Sequence, residues 1–220
     1  MINGYDAVIF DMDGVIFDTE KLFLECCILA ALDIGAGDIT EVAYSAIGMS
    51  EERTVEKYRK FFGDNEKAER FFDSAKELIR ERLAQDIPVK PGAREILSYL
   101  YESGMPVALA SSTKTEKVIR ELIKTDLFGY FTRISGGDSV KNSKPAPDIF
   151  LRTAELLGKE PQKCLVIEDS FNGVRAAKAA GMKCIMVPDL LQPDDEIKAL
   201  ADMVVPSLTE LKELFAEGNI

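Results

Sequence analysis

AVIFDMDG, residues 7–14, is the stretch on which the fold turns: four apolar residues run without interruption and stop at Asp11-Met12-Asp13-Gly14. An unbroken apolar run suits a strand covered on both faces of a parallel sheet, and the polar stop marks its passage into a loop. The pattern recurs. Residues 107–110 stop at Ser111, residues 164–167 at Glu168-Asp169, and residues 184–187 at Pro188-Asp189. Helical patterning separates these runs, so the sequence predicts an α/β fold, a Rossmann-like doubly wound parallel sheet.

Between the runs, the helix signals are specific. Thr113 and Glu116 have capping-box spacing ahead of an apolar face made by Val118, Ile119, Leu122 and Ile123. Ala146-Pro147-Asp148 places proline and an acid in a first helical turn leading to Ile149, Phe150 and Leu151, and Gly158 closes that helix. Residues 173–180 are alanine-rich, with Gly181 as the expected C-cap. Residues 18–88 carry no buried-strand run, and helical periodicity dominates there. Ala68, Phe71, Phe72, Ala75, Leu78, Ile79 and Leu83 fall at three- and four-residue steps after Asp64-Asn65. Pro88 and Pro91-Gly92 punctuate the return. The expected organisation is a core of residues 1–17 and 89–220 that holds the site, with an inserted α-helical unit of residues 18–88. Asp18-Thr19 and Ile87-Pro88 are the expected hinges.

Composition narrows the chemistry. The chain has 220 residues, 46% hydrophobic and 30% charged, enough apolar material for a core and a smaller appended unit. No run approaches the roughly 20 apolar residues of a bilayer span, and no basic region precedes the first apolar run, so no membrane partner and a cytoplasmic location are expected. A net charge of -11 argues against a nucleic-acid partner, which would need clustered Lys and Arg to release counterions. Cys26, Cys27, Cys164 and Cys184 lie in apolar settings that suggest buried thiols rather than a disulfide framework or zinc site. The absence of histidine excludes Ser-His-Asp and Cys-His nucleophiles and HExxH zinc sites. Any catalysis runs on carboxylates, lysine, hydroxyls or a metal.

Those groups converge. In open parallel sheets ligands gather outside the carboxyl ends of the strands. Here such ends deliver Asp11 and Asp13, Ser111, and Glu168 and Asp169, while a loop supplies Lys144. Like unit charges about 4 Å apart repel by about 4 kcal/mol at an effective dielectric near 20, so carboxylates meet a phosphate dianion only with cations present. Lys144 supplies one charge, and a hard divalent ion bound by oxygens, typically magnesium, supplies two. An aspartate can then attack phosphorus while a second carboxyl handles the proton, and hydroxyl and amide donors near Ser111 bind phosphoryl oxygens. Taken singly, Asp13 reads as a turn residue, Ser111 as a helix cap, Lys144 as a solvated lysine and Glu168 as a capping acid. Those separate readings do not account for the joint pattern.

DMDGVIFDTE from Asp11, ALASST from Ala108, SKPAPDIF from Ser143 and VIEDSFNGVRAAKAAG from Val166 occur in one order along almost the whole chain. In these motifs the chain resembles the haloacid dehalogenase superfamily, in its phosphatase and β-phosphoglucomutase-like branch with a helical cap. The resemblance implies Asp11 as nucleophile, Asp13 as acid and base, and Ser111 and Lys144 as the residues holding the phosphoryl group, with Gly14 and Ser112 adding to phosphate binding. It implies a magnesium ion held by the Asp11 carboxylate, the Asp13 backbone carbonyl and the Asp169 carboxylate, with Glu168 a ligand or close by.

Mutases of this branch carry a histidine five positions beyond Asp18, where this chain has Phe23, and a lysine and an arginine where it has Ile47 and Glu51. These departures favour hydrolysis over phosphoryl redelivery. Dehalogenation fits less well, because a departing halide needs no proton from Asp13. The expectation is a magnesium-dependent phosphatase, monomeric, acting on a small phosphorylated sugar, polyol or organic acid. A sugar-phosphate mutase and a catalytically silent phosphometabolite-binding module are the alternatives. Phe23 and the loop residues Gly48, Met49, Ser50 and Glu51 would set specificity, and Arg53 and Lys57 read as a solvated helix face, with phosphate or substrate contact as the alternative.

Overall fold

The central strands form because their residues are apolar, but for Glu168 and Lys183 at strand ends, and both sheet faces are covered. In the computed structural model, which describes residues 4–47, 49 and 51–220, the strands are β1 Ala7–Phe10, β2 Val107–Ala110, β3 Arg133–Ser135, β4 Cys164–Glu168, β5 Lys183–Met186 and β6 Met203–Val204. They make one six-stranded sheet in the order β3-β2-β1-β4-β5-β6, with every pair parallel. The order reverses between β1 and β4, where doubly wound sheets place their ligands. Ile9 faces Ala108 on one side and Val166 on the other, and Asp11 N donates to Ile167 O at 2.9 Å, so the register carries Asp11 just past the strand ends.

The chain divides into two compact units, one running to Phe17 and resuming over Val89–Ile220, the other Asp18–Pro88. The second is all helix among its described residues: α1 Thr19–Asp33, α2 Thr40–Tyr44, α3 Glu51–Phe62 and α4 Asn65–Gln85. Asp64 caps α4 by accepting from the backbone of Glu66 and Lys67. Its interior joins Ala30, Ala31, Ile39 and Val42 to an aromatic group in which Phe71 lies 4.7 Å from Tyr58 and 5.1 Å from Phe62, ring centre to ring centre. The Phe71-Phe72 pair thus packs the core of this unit, and Asp18 N donates to Pro88 O where its two ends meet.

In the α/β unit the helices are α5 Ala93–Glu102, α6 Thr115–Lys124, α7 Asp148–Leu157, α8 Phe171–Ala179, α9 Asp195–Leu200 and α10 Leu208–Glu217. One sheet face, including Ala7, Ile9, Ala108 and Val166, packs against Phe150 and Ala154 of α7, Val174 and Ala177 of α8 and Ile197 of α9. Gly158 ends α7 in the left-handed conformation. Two of the six strands carry no sequence signal. The edge strand β3 is exposed at Arg133 and half-buried at Ile134, so it forms no unbroken apolar run, and β6 is only two residues, both exposed, too short to stand out.

The expected capping box also does not form. Helix α6 begins at Thr115, and its capping acceptor comes from elsewhere: Asp138 Oδ1 accepts from Thr115 N and Thr115 Oγ1, each at 2.7 Å. Cys26, Cys164 and Cys184 are buried thiols and Cys27 is half-buried. No helix among the described residues is long and apolar enough to cross a membrane.

Candidate active site

The turn after β1 places the first two acids. Gly14 N donates to Phe17 O at 2.8 Å, and Gly14 adopts φ +83°, which an L side chain rarely does. A β-carbon at Gly14 would also stand 2.2 Å from Asp169 Oδ2, so the carboxylate of Asp169 lies directly against this loop. Asp11, Glu168 and Asp169 are all buried.

Lys144 joins them. Its Nζ donates to Asp11 Oδ1 and, at 2.5 Å, to Glu168 Oε1, bridging positions that lie 133 and 24 residues away in the chain. The ammonium also sits 4.9 Å from the centre of the Phe150 ring on α7. Glu168 is fully buried and fully engaged: Oε2 accepts from Asp169 N, Ser170 N and Ser170 Oγ at 2.8–3.0 Å. Ser170 Oγ in turn accepts from Gly173 N and caps α8. A β-carbon at Gly173 would fall 1.7 Å from Glu168 Oε1, so the first turn of α8 is open only because residue 173 has no side chain.

Ser111 follows β2, buried, with its N donating to Ser135 O and its Oγ accepting from Thr113 N, both at 3.0 Å. Ser112 is exposed. Thr113 donates from Oγ1 to Asp13 Oδ2 at 3.1 Å. The structure therefore brings Asp11, Lys144, Glu168 and Asp169 together, and ties Asp13 to the loop that holds Ser111. Thr113 and Gly173 are the participants that sequence reasoning missed. Thr113 was visible only as a capping residue, and Gly173 only as the start of an alanine-rich helix. Of the expected specificity residues, Phe23 lies half-buried on α1 and Met49 is half-buried. Gly48, Ser50 and the side chain of Glu51 lie outside the described residues.

Burial dominates the electrostatics. It pushes the Asp11 carboxyl up to about 7; the Lys144 ammonium opposes this by charge and hydrogen bond, while Glu168 and Asp13 add to it. Burial would lower the Lys144 pKa, but the charges and hydrogen bonds of Asp11 and Glu168 outweigh it and hold Lys144 above its ordinary value. One ammonium shared by two buried carboxylates leaves the centre short of positive charge, which is the condition a bound cation relieves. Among the described residues no three His, Cys, Asp or Glu side chains form a metal-holding cluster. The set that fits a hard divalent ion is smaller: the carboxylates of Asp11 and Asp169 and the Asp13 carbonyl, all oxygen donors. Glu168, close by, has both oxygens accepting from protein donors, so it orders the lysine and the α8 turn beside that set.

Residues 8–187 match the family model described as haloacid dehalogenase-like hydrolase. The chain is 34% identical over 180 residues to a phosphorylated carbohydrates phosphatase of Thermotoga maritima, covering 82% of this chain and 83% of that protein. It is 33% identical over 212 residues to hexitol phosphatase B of Escherichia coli K12, covering 93% of both. A crystal structure of β-phosphoglucomutase from Clostridium difficile superposes with a TM-score of 0.78 at 27% identity, covering 97% of this chain and 96% of that one. With the parallel sheet, the DxDG turn and the Lys144 bridge all in place, the chain belongs to the haloacid dehalogenase-like hydrolases.

Proposed function

We propose that the protein is a magnesium-dependent phosphomonoesterase that hydrolyses a phosphorylated sugar or polyol through a phosphorylated Asp11. The observation that carries this reading is the bridge from Lys144 to Asp11 and Glu168 at the point where the strand order reverses. It fixes the Asp11 carboxylate and sets a positive charge beside it, where a phosphoryl group would be transferred. An Asp11 oxygen attacks phosphorus and Asp13 protonates the departing alcohol oxygen; Asp13 then takes a proton from the water that cleaves the acyl phosphate. Ser111, with backbone amides of its loop including that of Ser112, holds phosphoryl oxygens; Gly14, whose N donates to Phe17 O, shapes the turn instead of contributing the phosphate contact expected of it. Asp11, Asp169 and the Asp13 carbonyl would hold magnesium, whose charge offsets that of the phosphoryl group.

The phosphatase names of the two sequence relatives support the substrate class. Phe23 supports hydrolysis over a mutase reaction, since a phenyl ring carries no proton. The helical unit, through Phe23 and residues 48–51, would select the alcohol part of the substrate, with residues 18–19 and 87–88 as the hinges.

The test is a phosphate-release screen across sugar, polyol and organic acid phosphates with magnesium, repeated with a chelator and with Asp11→Asn. Release that depends on metal, and that falls by at least about a thousandfold in the variant, is the expected result. Full turnover in Asp11→Asn would reject the phospho-aspartate, and an isomeric product without phosphate release would identify a mutase instead.

A further inference from the structure

We infer that Thr113 is the positioning residue of the proton-transferring carboxyl, Asp13; the inference rests on the phosphatase reading above. Three of its atoms are held. Its N donates to Ser111 Oγ at 3.0 Å, its carbonyl accepts from Gly137 N at 2.9 Å, and its Oγ1 donates to Asp13 Oδ2 at 3.1 Å, across 100 residues of chain. The backbone around it is tightly seated, since a β-carbon at Gly137 would stand 2.3 Å from Ser112 O. The obvious competing role for a threonine two residues before a helix is capping, and that role belongs to Asp138, which accepts from both Thr115 N and Thr115 Oγ1. The Thr113 hydroxyl serves Asp13 instead.

The chemical consequence concerns the leaving group. As an Asp11 oxygen bonds to phosphorus, the ester P–O bond breaks, and the proton on Asp13 Oδ1 passes to the departing oxygen. The products of this half-reaction are a neutral alcohol and an Asp13 carboxylate, and the Thr113 hydrogen bond at Oδ2 stabilises that carboxylate while fixing its orientation. When water then bonds to phosphorus and the P–O bond to Asp11 breaks, the water proton returns to Asp13. An alkyl ester needs the first transfer because a bare alkoxide departs poorly. A low-pKa aryl oxide leaves without it.

The experiment measures kcat/KM, which reports the ester-cleaving half-reaction, for the best alkyl phosphate of the screen and for 2,4-dinitrophenyl phosphate. Wild type, Thr113→Val, Thr113→Ser and Asp13→Asn are compared. Loss of one hydrogen bond to a charged group should lower the alkyl-to-aryl ratio about tenfold in Thr113→Val, and serine should bring the ratio back to within about twofold. Equal losses on both esters in Thr113→Val, an unchanged ratio, or failure of serine to restore it, with Asp13→Asn still showing the split, would overturn the role of Thr113 alone. An unchanged ratio in Asp13→Asn would overturn the acid role of Asp13 and this inference with it. Because the aryl ester is read on the same preparation, a folding defect registers as loss on both substrates.

Discussion

At the carboxyl ends of β1 and β4 the α/β unit buries Asp11, Lys144, Glu168 and Asp169 side by side, whereas the helical unit fills its interior with Tyr58, Phe62, Phe71 and Phe72. Both interiors are dense, but they tolerate damage differently. A charged interior depends on its scarce member: removal of the one ammonium leaves two carboxylates buried without compensation, whereas removal of Asp11 leaves Lys144 paired with Glu168. An aromatic interior loses contact area in proportion to what is cut away. Loss of Lys144 should therefore strike stability and chemistry together, while each mutation in the helical interior should strike stability first.

The sharpest way to break that contrast is Lys144→Ala. It strands two carboxylates, so it should cost about 3–5 kcal/mol in denaturant unfolding as well as abolishing phosphate release. A variant that unfolds like wild type would mean that the acid cluster is not held by this lysine. Next in size, Phe71→Ala removes the ring that touches Tyr58, Phe62 and Phe72, and should cost about 3 kcal/mol in thermal or denaturant unfolding. Its kcat on an aryl phosphate, measured well below the unfolding transition, should fall much less than that of Lys144→Ala, and an equal loss would dissolve the distinction.

The smallest expected effect lies at Asp138, an exposed acid whose carboxyl is held below the usual range by the Thr115 hydroxyl and backbone N–H. Asp138→Ala should cost about 1 kcal/mol, as the loss of a helix cap. A carboxyl with a depressed folded pKa stabilises above its unfolded pKa, near 4, and loses that contribution as the pH falls through the folded value. The difference in stability between wild type and Asp138→Ala should accordingly be full at neutral pH and shrink below about pH 4. A difference that stays constant with pH would assign the cap to something other than the charged carboxyl.

How far the molecule could be read from its sequence follows the same divide between buried and exposed. Strands β1, β2, β4 and β5 announce themselves because both faces are covered and their interiors must be apolar, with Glu168 and Lys183 only at strand ends. Strands β3 and β6 stay silent because an edge strand can expose Arg133, Met203 or Val204 without penalty. The acids of the site were legible as abrupt polar stops after those apolar runs. Lys144 sits on a loop with no periodicity, so the need for a cation beside the acids and the SKPAPDIF motif point to it where no pattern does. The α6 cap was misread for a related reason: a capping box is a local rule, and the acceptor in the fold arrives from 23 residues downstream. The Thr113–Asp13 bond has no local signature at all.

Gly14 and Gly173 sit on separate elements, and each reserves the volume that one of the adjacent acids Asp169 and Glu168 occupies. In genetic terms both positions are dead ends. Every missense change reachable by one base from a glycine codon adds a β-carbon, and at these two sites that atom would stand 2.2 Å and 1.7 Å from a carboxylate oxygen, so the acid would have to move. Drift can rework the apolar faces of the sheet by trading one aliphatic residue for another, but a missense change at either of these two codons displaces an acid of the pair.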